Sequence, residues 1–181
     1  MKPLCIDLFC GLGGWAEGFV AEGYRVVGFD VDPRFASVYP GEFVLADVRT
    51  LDGRRFRGAR CIVASPPCER YSRRRLPWRR PGSPHAWPTP PLDPDLTLWR
   101  AVERIAQLAG RPHVIENVEG AIAFHGRPVQ RWGSRCLWGD VPLMCPTPLA
   151  PKGNPGPRSM RKALRAKIPL PLARAVARGF L

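Results

Sequence analysis

The sequence has no long hydrophobic run, no closely spaced cysteine pair and comparatively little acid. No apolar stretch approaches the roughly 18 residues that a membrane-spanning helix requires. The opening Met1-Lys2-Pro3 passes straight into Leu4-Cys5-Ile6-Asp7-Leu8-Phe9, which is too short and too acidic for a signal-peptide core, so a cytoplasmic protein is expected. Six cysteines are present, at positions 5, 10, 61, 68, 136 and 145. Their spacing contains no C-x-x-C, which argues against a disulfide framework or a zinc site and for mostly buried, small apolar side chains. No internal repeat is visible. Acid is the scarcest ingredient: 15 Asp and Glu face 28 Lys and Arg, a net charge of +13. That balance implies a polyanionic partner, and the charge is segregated rather than spread. Residues 1 to 50 carry seven acids and four bases, residues 70 to 80 carry six arginines, and the stretch from Lys152 onward carries eight bases and no acid.

What is present fits one α/β domain of 181 residues, 45% of them hydrophobic, spanning 1–181. Leu4 to Phe9 reads as a buried strand, and a helix follows in which Trp15, Phe19 and Val20 recur at helical spacing before a stop at Gly23. Further strands are predicted at Arg25 to Phe29, Phe43 to Ala46, Cys61 to Ala64 and His113 to Ile115. Residues 70–92 break the alternation as a basic loop rich in Arg, Pro and Trp. The next helix has Asp93 as its expected N-cap, Pro94 in the first turn, an apolar stripe at Leu96, Trp99, Val102 and Ala106, and a stop at Gly110 and Pro112. Residues 159–181 are helical in composition but interrupted by Pro169 and Pro171, leaving a short amphipathic helix on Leu172, Ala175, Val176 and Phe180.

The strand ends carry the chemistry. Gly11-Leu12-Gly13-Gly14-Trp15-Ala16 matches G-x-G-x-x-A after a strand, with Asp30 at the end of the next strand, where an acid holds ribose hydroxyls. This pattern alone suits a dinucleotide or an adenosyl cofactor. Asp47, after the third strand, is either an acceptor for an adenine amino group or a turn cap. Ser65-Pro66-Pro67-Cys68 ends the fourth strand; the prolines stiffen and aim the thiol, and Arg70 favours its thiolate. Glu116-Asn117-Val118 ends the fifth strand on the same edge, where a carboxylate is costly unless it has a partner or a task. A thiolate and a carboxylic acid together answer one chemical problem. Cytosine C5 is too weak a nucleophile to attack a methyl sulfonium until a thiolate adds at C6, and an acid at N3 stabilises the adduct. A base inside a duplex must first be flipped out.

At these residues the chain resembles the DNA cytosine-5 methyltransferase family, in the compact form found in phages and as orphan enzymes. Asp7-Leu8-Phe9-Cys10-Gly11-Leu12-Gly13-Gly14 resembles its first cofactor motif, Ser65-Pro66-Pro67-Cys68 its catalytic loop and Glu116-Asn117-Val118 its substrate-acid motif. Arg165 to Val176 resembles the helix that closes the cofactor site. The resemblance implies a Rossmann-like S-adenosylmethionine-dependent methyltransferase fold, a mostly parallel twisted sheet with helices on both faces. It implies S-adenosyl-L-methionine as cofactor, held by Phe9, Gly11, Gly13 and Pro66, with Asp30 on its ribose and Asp47 on its adenine. Cys68 becomes the nucleophile, Glu116 the N3 partner and Arg135 a member of the catalytic set, with Arg131 the weaker alternative. DNA is the implied partner, in a bacterial or phage-infected cell.

The chain also departs from the family. Glu69 stands where a glutamine usually follows the cysteine, and no separate target-recognition domain is visible. Sequence reading is then expected from residues 70–92 or 145–160; Arg70, Arg73, Arg74, Arg75, Arg79 and Arg80 are the candidate nucleic-acid contacts, with Trp78 and Trp87 able to stack on bases or to anchor the loop. RNA or a free cytosine nucleotide is an alternative substrate, and a homodimer or accessory subunit an alternative way of gripping DNA. A dinucleotide-dependent oxidoreductase leaves Cys68 and Glu116 unexplained, and a non-catalytic nucleic-acid-binding relic leaves their retention unexplained.

Overall fold

The computed structural model describes residues 1–69, 71, 96–144 and 161–181. Its strands are β1 (Leu4–Leu8), β2 (Arg25–Asp30), β3 (Glu42–Leu45), β4 (Cys61–Ala64), β5 (His113–Val118), β6 (Gln130–Trp132) and β7 (Arg135–Gly139). They form one sheet in the order β3-β2-β1-β4-β5-β7-β6. Neighbours among β1 to β5 are parallel, whereas β7 runs antiparallel to both β5 and β6. Buried parallel strands require apolar side chains on both faces, and Cys61-Ile62-Val63-Ala64 satisfies this with every residue buried.

Two features differ from the sequence expectation. The fifth strand does not stop at Ile115, because β7 pairs with its second half and extends it through Glu116, Asn117 and Val118. Hydropathy hides this extension, since the two polar residues interrupt the apolar run. The sequence reading places no β6–β7 hairpin; its turn passes through Gly133 at φ 60°, and Arg131 and Arg135 stand among its apolar residues.

The helices are α1 (Gly14–Ala21), α2 (Thr97–Ala109), α3 (Ile122–His125), α4 (Arg161–Ala166) and α5 (Leu170–Gly179). α1 and α5 cover one face of the sheet, with Trp15, Phe19, Leu172 and Val176 in that core. α2 covers the other, with Trp99, Val102, Ile105 and Phe56 in a second core. α2 is described from Thr97, with Leu96 in the N-cap position and no side-chain cap among the described residues; the expected cap Asp93 lies outside the described residues. The helical tail is interrupted at residues 167–169, as expected, and the prolines begin the last helix, Pro169 as N-cap and Pro171 in the first turn, where a missing N–H leaves no bond unmade. α1 and α5 approach so closely that a Cβ on Gly18 would strike Ala173. No helix among the described residues is long and apolar enough to cross a membrane.

The strand order reverses between β1 and β4. In open parallel sheets a crevice opens at the carboxyl ends of the strands at such a point, and here it lies between the glycine turn and the Pro66-Pro67-Cys68 loop.

Candidate active site

After β1 the chain turns through Phe9 at φ 59°, Gly11 at φ 49° and Gly13 at φ 73°. A left-handed conformation is costly for a residue with a Cβ, and a Cβ on Gly13 would also collide with Pro40. Glycine is therefore required there for two reasons. The turn is pinned to β2 by Asp30, whose carboxylate accepts from Gly11 N–H at 2.9 Å and Asp32 N–H at 3.0 Å.

A cavity of about 360 Å³ opens beside this turn, lined by Phe9, Gly11, Leu12, Asp30, Phe35, Pro67 and Lys167 among others. Its size lies within the usual range for small-molecule sites. The donor set suits a nucleoside: each Asp30 oxygen spends one lone pair on the backbone, and a carboxylate has about four such sites, so acceptors remain for vicinal hydroxyls. Phe9, Phe35 and Ile168 supply apolar walls. Phe9, Gly11 and Asp30 line this cavity. Gly13 shapes the turn from behind. Asp47 caps the 3-10 turn Val48–Thr50, accepting from Arg49 N–H at 2.9 Å and pairing with its guanidinium, and it is not among the lining residues. Pro67 rather than Pro66 meets the cavity.

On the other side of the crevice, Ala64 of β4 lies opposite Ile115 of β5, so Ser65 stands beside Glu116 and Cys68 follows three residues along the same edge. Alternation along β5 turns Glu116 toward the α1 face, where Trp15 and the carboxy-terminal segment lie. Glu116 is 5% exposed and accepts from Arg135 Nη1 at 2.9 Å. Ser65 hydrogen bonds to it, and Trp15 Nε1 donates to Ser65 Oγ at 3.0 Å. Burial pushes the Glu116 carboxyl above its ordinary range, although Arg135 and Ser65 oppose that shift. The arrangement sets a buried carboxyl, partnered by Arg135 and Ser65, beside a cysteine-bearing loop. Asn117, 1% exposed, donates from Nδ2 to the Pro66 carbonyl at 2.9 Å and so fixes that loop to β5. Cys68 itself is half-buried.

The guanidinium of Arg135 also donates to the carbonyls of Arg165, Ala166 and Lys167, at 3.3, 3.2 and 2.8 Å. Lys167 lines the cavity and pairs with Glu17 of α1. Arg135 therefore bridges the buried acid and the segment that closes the cavity. Arg131 instead pairs with Glu119 at 3.4 Å. Sequence reasoning gave no role to Trp15, Ser65 or Asn117. Ser65 and Asn117 stand inside the motifs already singled out, but Trp15 read only as helix stripe. Arg70, Arg73, Arg74, Arg75, Arg79 and Arg80, like Trp78, Trp87 and Asp93, lie outside the described residues.

The sheet order, the glycine turn and the acid at the switch point define a Rossmann-like methyltransferase domain. The model of the C-5 cytosine-specific DNA methylase family matches residues 4–131, and the chain belongs to that family. It is similar to the Type II methylase M.HgiDII of Herpetosiphon aurantiacus, with 32% identity over 83 residues, covering 40% of this chain and 23% of that protein. Among solved structures, it is similar to a candidate DNA modification methyltransferase encoded within an E. coli prophage, at 21% identity and a TM-score of 0.48, over 67% of this chain and 33% of that one. A Spodoptera frugiperda DNMT2 variant gives 21% identity and a TM-score of 0.42, over 66% of this chain and 36% of that one. The matched part is thus under a quarter of the curated relative and about a third of each of these structures.

Proposed function

We propose that the chain methylates C5 of cytosine in DNA, with S-adenosyl-L-methionine as methyl donor and Cys68 as nucleophile. The observation that carries this reading is the buried Glu116, held by Arg135 and tied through Ser65 to the loop that presents Cys68. The 360 Å³ cavity with Asp30 at its rim supports the cofactor assignment. When bound, S-adenosylmethionine supplies an electrophilic methyl group. The residues of the chain do the rest. The Cys68 thiolate adds to C6 of a base swung out of the duplex, and Glu116 donates its proton to N3, so the electron pair that would collect on the ring is neutralised. C5 then carries the nucleophilic density and takes the methyl group. Loss of the C5 proton to a base expels the Cys68 thiolate and returns the proton from N3 to Glu116. Arg135 holds Glu116 in place and closes the carboxy-terminal segment over the cavity. Arg70, Arg73, Arg74, Arg75, Arg79 and Arg80 contact phosphate, which the net charge of +13 supports.

The test is transfer of tritium from labelled S-adenosylmethionine to duplex DNA, single-stranded DNA, RNA or dCMP, beside Cys68→Ala. Label is expected in DNA and absent with the variant. Labelling by Cys68→Ala at the native rate would remove the nucleophile, and label confined to RNA or dCMP would change the substrate. A covalent complex with 5-fluorocytosine DNA reports the thiol addition directly.

A further inference from the structure

Cys68 is held between two anchors, and only the first belongs to the motifs. Upstream, Asn117 grips the Pro66 carbonyl at 2.9 Å. Downstream, Tyr71 is 4% exposed and its hydroxyl lies 2.8 Å from Nε2 of His125, at the end of α3. Glu69 and Tyr71 are both helical, and Tyr71 follows the thiol by three residues. His125 is itself fixed from behind. It stacks on Trp99 of α2 with ring centroids 3.6 Å apart and planes 7° apart. The Tyr71 ring meets Phe124 at 5.7 Å, and Gly120 lies so close that a Cβ there would strike the Tyr71 carbonyl. Burial lowers the His125 imidazole to about 4, which leaves it neutral at physiological pH. A neutral imidazole has one acceptor nitrogen; with its proton on Nδ1, the phenol donates to Nε2.

A phenylalanine at position 71 would bury as much apolar surface. What the hydroxyl adds is a fixed orientation, and orientation is what a nucleophile needs: small misplacements of a reacting group cost up to about a hundredfold in rate. We infer that Tyr71 and His125 are positioning residues for Cys68, setting the line along which its thiol approaches C6. This rests on the reaction proposed above but makes a claim about the loop that can be read without catalysis.

The experiment uses the full chain with Tyr71→Phe, His125→Phe, His125→Gln and the double variant Tyr71→Phe/His125→Phe. Two readouts are taken: alkylation of Cys68 by iodoacetamide, followed by peptide mass spectrometry, and kcat and KM for methyl transfer. Tyr71→Phe and His125→Phe are expected to speed Cys68 alkylation severalfold and to lower kcat by about tenfold, with KM for S-adenosylmethionine within about twofold. The double variant is expected to be no worse than either single one, because both remove the same bond. His125→Gln, which keeps an acceptor, is expected to recover most of the loss. Wild-type alkylation and kcat in Tyr71→Phe would overturn the inference, as would equal losses of kcat, cofactor affinity and melting temperature, the mark of a merely structural contact. If the wild-type chain transfers no methyl group, the proposed reaction fails and the alkylation rates decide the positioning role alone.

Discussion

Two carboxyls are buried at the strand ends, and their surroundings separate them. Asp7 of β1 is fully buried; Oδ2 accepts from the Tyr39 hydroxyl at 3.0 Å and Oδ1 has no hydrogen-bond partner among the described residues. Burial pushes its carboxyl to about 8, against the opposing hydrogen bond from Tyr39. A folded-state value above the unfolded one means that the native state binds this proton more tightly. The contribution of Asp7 to stability is then complete below about pH 4 and is lost as pH rises toward 8. Asp7→Asn is expected to flatten that slope, measured as urea midpoints at about pH 5 and pH 9; an unchanged slope would show that Asp7 is ionised throughout. Glu116 differs in having Ser65 and Arg135 as partners. Glu116→Gln keeps an acceptor for Arg135 but no acidic proton for N3. A loss in kcat of at least about a hundredfold is expected, with a native circular dichroism spectrum, because general-acid contributions are of this size. Both positions were visible in the sequence as charges inside motifs. That Tyr39 bonds to Asp7 while Ser65 and Arg135 bond to Glu116 depends on side chains from distant segments, which no local pattern reveals.

At the scale of elements, apolar runs located β1 to β4 to within a residue or so; β4, buried throughout, must be apolar on both faces, whereas β3 stands mostly exposed at the sheet edge. The same logic concealed the end of β5 and the β6–β7 hairpin, where polar residues are accommodated by antiparallel pairing at the sheet edge. The hairpin matters to the site because it carries Arg135. This side chain is 14% exposed and joins Glu116 to the carbonyls of residues 165–167. Arg135→Met would strand a buried acid and release the link between α4 and α5. A loss of about 3 kcal/mol is expected, the lower end for breaking a buried pair, together with a raised KM for S-adenosylmethionine. Thermal denaturation with and without cofactor checks both. A stability loss with unchanged KM would leave Arg135 as a support for Glu116 alone.

For the whole molecule the governing quantity is charge. With +13 on 181 residues, affinity for DNA is expected to fall steeply with salt, by about 10³ or more between 50 and 200 mM if six phosphates are contacted. Replacing one of Arg73, Arg74 or Arg75 by alanine is expected to lower the slope of log affinity against log salt by about one. Fluorescence anisotropy with a labelled duplex over a salt series measures both, and a flat series would exclude phosphate contacts as the source of affinity.

Composition, the glycine turn and the order of the three motifs were enough to reveal the α/β class, the family and the residues at the strand ends, because each is a local requirement: a left-handed turn, a stiffened thiol, an acid after an apolar run. Only the tertiary structure decided which groups surround them. Trp15, Ser65, Glu116 and Arg135 are spread over 120 residues of chain and become one hydrogen-bonded series when β1, β4, β5 and β7 lie side by side. Burial and partnership are properties of that packing, so the upward push on the Glu116 carboxyl and the pairing with Arg135 that opposes it exist only once the sheet has formed.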